Sequence, residues 1–87
     1  MRKFRHFFTS AKARELGRAI GVDFRQVRLE EFRKGLLVEL EHDRGRRTNV
    51  THGDLKLTAK IALAHLLELP DYYTRLLKME REAKGER

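Results

Sequence analysis

Leu29, Phe32, Leu36 and Leu40 recur at intervals of three and four residues, so they line one stripe of a helix. A second stripe, made of Thr58, Ile61, Ala62, His65 and Leu69, follows at the same period. No stretch longer than four residues alternates apolar and polar in the manner of a half-buried strand. The chain has one proline, Pro70, and six glycines, which leaves few places for tight turns. These patterns specify an all-α fold, a small compact bundle of about four short helices.

The first helix is expected to start at Thr9 or Ser10, whose side-chain oxygens accept orphan backbone N–H groups. Gly21 is placed to end it in a left-handed cap. Gly17, inside that helix, costs about 1 kcal/mol relative to alanine and points to close approach by another helix. Residues 22–28 form a connector in which Asp23 caps a short turn. The second helix covers about residues 29–42, with Glu30 and Glu31 in its first turn, where the helix dipole favours negative charge. Residues 43–50 read as a loop. Thr51, His52, Gly53 and Asp54 then resemble a capping box that opens a third helix over residues 55–69. Pro70 stops that helix, and Asp71 caps a last one from Tyr72 to about Ala83. Its apolar positions are Leu76, Met79 and Ala83, or Tyr73 and Leu77. Tyr72 and Tyr73 read as packed rings with hydroxyls in water, or else as a small exposed partner patch.

At 87 residues the chain has room for one domain, with residues 1–8 as a basic, aromatic arm and 84–87 as a frayed tail. With no cysteine, disulfides, thiolate metal sites and cysteine nucleophiles are all excluded. No apolar run approaches the ~20 residues of a membrane span, and a cytoplasmic setting without a membrane partner is expected. The net charge is +7. Residues 1–50 carry 13 basic against 7 acidic side chains, so the excess belongs to the first half. Arg2, Lys3 and Arg5 form one cluster and Arg44, Arg46 and Arg47 another. Guanidinium groups suit phosphate, and Phe4, Phe7 and Phe8 are placed to stack on unpaired bases. These residues make nucleic acid, or another polyanion, a candidate partner. Elsewhere the charge reads as ordinary surface pairing, with Arg33 and Lys34 set against Glu30 and Glu31.

Two polar residues interrupt apolar stripes: Glu39 near the Phe32 line, and His65 between Ile61 and Leu69. His42 lies three residues after Glu39, and Glu68 three residues after His65. Helix bundles build di-iron and di-manganese sites from Glu-x-x-His spacing, and zinc accepts the same ligands. The plainer reading needs no cofactor: a buried Glu–His or Glu–Thr hydrogen bond that fixes how two helices dock. In a tight antiparallel hairpin, Glu39 and His65 would miss each other by roughly 10 Å, leaving His52 or Thr58 nearer to Glu39. No nucleophile stands in a recognisable setting, so a binding protein is expected and not an enzyme. A homodimer or a protein-interaction module is the other expected class.

Several stretches resemble a bacterial and phage-associated family of small domains of unknown function. They are VELEH at residues 38–42, TNVT at 48–51, LTAKIALAHL at 57–66 and PDYY at 70–73. The resemblance covers roughly residues 10–83 and includes Glu39, His42, His65, Asp71 and Tyr72. It implies a small helical fold and assigns no activity. The basic arm lies outside it, and residues 44–47 depart from the family's form.

Overall fold

The computed structural model describes residues 9–42 and 54–85, with the backbone only at 41 and 42. Four helices follow one another along the chain, α1 (Ser10–Ala19), α2 (Leu29–His42), α3 (Leu55–Glu68) and α4 (Tyr72–Ala83). No strand occurs among the described residues. The arm with Arg2, Lys3 and Arg5 lies outside the described residues, as do Arg44, Arg46, Arg47 and His52.

The ends of α1 follow from its sequence. Thr9 caps it by accepting the Lys12 N–H on its hydroxyl at 3.1 Å. At the other end Gly21 has φ +82°. Its N–H reaches the Arg18 carbonyl and the Val22 N–H reaches the Gly17 carbonyl, the paired bonds of a Schellman cap. The Ser10 hydroxyl donates to Glu30 at 2.6 Å, tying the start of α1 to the first turn of α2. In the connector Asp23 does cap a turn: Oδ1 accepts the Arg25 N–H at 2.9 Å. The Arg25 side chain also binds Asp23 and holds its carboxyl below the ordinary range.

Two expected caps are built differently. Asp54 is itself the N-cap of α3, accepting from the Lys56 and Leu57 N–H groups, and not the third residue of a box begun by Thr51. Thr51 and Gly53 lie outside the described residues. Asp71 makes no side-chain cap bond at α4. Its carboxylate accepts from Arg75 at 2.8 Å, and that bond holds Asp71 below its ordinary range, outweighing the desolvation that opposes it. The cap comes from another helix. Glu31 of α2 accepts the Thr74 backbone N–H at 3.3 Å and the Thr74 hydroxyl as well.

α2 is the central helix, with α1, α3 and α4 packed around it. Phe32 and Leu36 are wholly buried, as its apolar stripe requires, while Leu29 and Leu40 are half-buried. Ala13, Val22, Val27, Leu37, Val38, Ala59, Ala62, Leu66 and Tyr73 complete the core. Gly17 serves the close approach expected of it. A Cβ there would overlap the Phe24 ring and lie 3.2 Å from Phe32. The Phe24 ring meets Phe32 edge-on at 5.7 Å. The approaching groups are thus a connector ring and α2.

The inward face of α3 is turned from the expected stripe. Thr58, Ala59, Ala62 and Leu66 are buried, Ile61 and His65 are half-buried, and Leu69 is 37% exposed. Small residues explain the turn, because Ala62 packs where a Cβ on Gly35 of α2 would lie 3.0 Å away. On α4, Tyr73 is buried and Leu76 and Leu77 are half-buried, whereas Met79 and Ala83 are exposed. Among the described residues no helix is long and apolar enough to cross a membrane.

Candidate functional site

Gly35 and Glu39 lie four residues apart on α2 and therefore on one face, a turn apart. Gly35 presents bare backbone to the Tyr73 ring, whose Cε2 would lie only 2.5 Å from a Cβ at that position. With its ring edge seated there, Tyr73 extends along α2 and donates its hydroxyl to Glu39 Oε2 at 2.8 Å. α3 supplies the third member, placing His65 Nε2 3.8 Å from the same Glu39 oxygen. Tyr72 closes the cluster by stacking on His65, with centroids 4.4 Å apart and planes 4° from parallel. Tyr73 stands perpendicular to both rings, at 6.0 Å from His65 and 4.9 Å from Tyr72.

Burial grades across this cluster. The Tyr73 ring is fully enclosed, the Glu39 side chain is 14% exposed and His65 is 39% exposed. Burial, reinforced by the bond and charge of Glu39, pushes the Tyr73 hydroxyl far above the ordinary phenol range. It is therefore a fixed proton donor at any physiological pH. The Glu39–His65 approach becomes an ion pair when the imidazole is protonated.

The geometry corrects the hairpin estimate, because Glu39 and His65 meet. α3 is therefore not seated on α2 in the register of a tight hairpin. Thr58 does not bond Glu39; its hydroxyl donates to the Asp54 carbonyl at 3.0 Å. Nor is the Tyr73 hydroxyl in water. Glu39 is bonded across helices by Tyr73 and not by the histidine or threonine expected of it, since His65 Nε2 at 3.8 Å is beyond hydrogen-bond distance. Of the four candidate metal-binding residues, Glu39 and His65 are brought together. Glu68 is exposed at the end of α3, and the His42 side chain lies outside the described residues. Among the described residues no three His, Asp or Glu side chains stand close enough to hold a metal ion.

A second polar cluster joins α2 and α4. Glu31 is 5% exposed and accepts from Lys34 Nζ at 3.4 Å as well as from Thr74. Lys34 also donates to the Thr74 hydroxyl at 3.1 Å. The expected Arg33–Glu30 and Lys34–Glu31 pairs are both present. The burial of Glu31 and its bonds to α4 are not visible in sequence. With Glu39 it fastens α4 to α2 at two points two helical turns apart.

A family model described as "Protein of unknown function (DUF5661)" matches residues 13–82, most of the chain, with α2 and α3 whole and all but the outer ends of α1 and α4. The chain belongs to the DUF5661 family. No curated protein and no solved structure matches it. The DUF5661 match takes in Gly35, Glu39, His65, Tyr72 and Tyr73, the whole interhelical cluster, and leaves the basic arm outside.

Proposed function

We propose that this DUF5661 domain acts by binding and not by catalysis, and that it binds a polyanion, nucleic acid first, through two basic segments. Arg2, Lys3 and Arg5 supply one segment; Arg44, Arg46 and Arg47 supply the other. One observation carries the reading: where the excess charge falls. Residues 9–42 hold 7 basic and 6 acidic side chains, so they account for one of the six excess charges in the first half of the chain. The helical framework is nearly neutral, and much of its charge is paired within it, as at Arg33–Glu30, Lys34–Glu31 and Arg75–Asp71. The remaining five excess charges belong to the arm and the loop.

These segments join the framework at opposite ends of α2. The arm leads into α1, whose Ser10 contacts Glu30, and the loop follows His42. Twelve residues of helix separate Glu30 from His42, a rise of about 18 Å. The reading is tested by fluorescence anisotropy of a labelled duplex and a labelled single strand at two salt concentrations. Micromolar binding that weakens steeply with salt is expected. Absence of binding at low salt would leave the charge as a feature of solubility. A cytoplasmic setting belongs to the same proposal.

A second reading rests on the approach of His65 to Glu39. With His42 one turn along α2, these residues would offer two imidazoles and a carboxylate to zinc, iron or manganese. Elemental analysis of protein purified without chelators tests it. Near-stoichiometric metal supports it, and identical melting with and without added metal removes it.

A further inference from the structure

Apolar residues surround α3 on all sides. Nine of its fourteen residues are apolar, and Ala59, Ala62 and Leu66 already fill the inward face. Leu57 is 39% exposed, Leu67 is 62% exposed and Ala64 is exposed between them. Leu57, Leu67 and Leu69 make up three of the four exposed large apolar side chains among the described residues. A helix apolar all round is ordinarily covered on every side. At about 100° per residue, Leu57 and Ala64 form the middle of the outer face. Lys60 and Leu67 flank that line on one side, and Ile61 and Glu68 on the other.

The spacing on this face is self-complementary. Lys60 precedes Ala64 by four residues and Glu68 follows it by four; Ile61 and Leu67 lie three residues to either side. When two such helices pack antiparallel about a twofold axis at Ala64, Lys60 comes level with Glu68 of the other copy. The axis keeps each flank on its own side, so Lys60 also lies beside Leu67 of the other copy and Ile61 beside its Glu68, while Lys60 and Glu68 meet across the Ala64 line. A small residue at the crossing point lets the backbones approach, and the two charge pairs are generated by symmetry. Lys60 and Glu68 make no ion pair among the described residues, so both are available for this one.

We propose that the outer face of α3 binds a second copy of this chain, forming an antiparallel twofold dimer centred on Ala64. The inference is independent of the polyanion reading, since it uses neither basic segment. Sedimentation equilibrium of the full chain from about 1 µM to about 1 mM is expected to show a mass of two chains that dissociates on dilution. Leu67→Asp, at an exposed position, should sediment as one chain with an unchanged far-ultraviolet circular dichroism spectrum. Lys60→Glu should weaken association about tenfold, and adding Glu68→Lys should restore it. A mass of one chain throughout would overturn the proposal, including where the chain's own arm or loop covers the face. A two-chain mass indifferent to Leu67→Asp and Lys60→Glu would overturn it as well.

Discussion

Tyr73 is the residue on which the interhelical cluster depends, because its ring fills the gap left by Gly35 and its hydroxyl satisfies Glu39. Tyr73→Phe keeps the ring and removes the donor, leaving a largely buried carboxylate short of a partner. A loss of about 1–2 kcal/mol is expected, measured by urea unfolding at neutral pH. The pH dependence has a definite sign. The folded-state pKa of Tyr73 lies above the unfolded value of about 10. Below pH ~10 both states hold the proton and no penalty arises. As pH rises past the unfolded value, the unfolded chain loses the proton first and stability falls. Tyr73→Phe should therefore show a shallower alkaline loss of stability than the unaltered chain. Glu31 acts at the same scale. Glu31→Ala deprives Thr74 and Lys34 of their acceptor and should cost about 1–3 kcal/mol by the same unfolding measurement.

Among the elements, the helices and their start points are legible because local chemistry sets them. Thr9 and Gly21 bound α1 with their own atoms, and the Phe32–Leu36 stripe locates α2. The helical period leaves open which direction an all-round apolar helix such as α3 faces. Ala62 turns inward because it fits against Gly35, a choice made by the neighbouring backbone. For the same reason the site was half legible. Glu39 and His65 stand out as polar residues on apolar stripes, but Tyr73 and Glu31 find partners 34 and 43 residues away. The register that joins them depends on where α3 and α4 sit along α2. Gly35 tests this packing directly. Gly35→Ala improves helix propensity by about 1 kcal/mol. It also drives a methyl group into Tyr73 and Ala62, an overpacking cost of about 1–3 kcal/mol. Net destabilisation is expected, read as a lower midpoint in thermal unfolding. An increase would show that Tyr73 moves aside freely.

For the molecule as a whole, the proposed function separates stability from binding. The four helices contain their own polar bonds, and among the described residues no buried side-chain nitrogen or oxygen lacks a partner. Five of the seven net positive charges belong to the arm and the loop. Changing one part should therefore leave the other intact. The direct measurement is the salt dependence of nucleic-acid affinity for the unaltered chain and for a variant with Arg44, Arg46 and Arg47 replaced by alanine. The variant should melt at the same temperature, while the slope of log affinity against log salt falls by up to about 2.7 on duplex. An unchanged slope at equal stability would contradict the assignment of phosphate contacts to that loop.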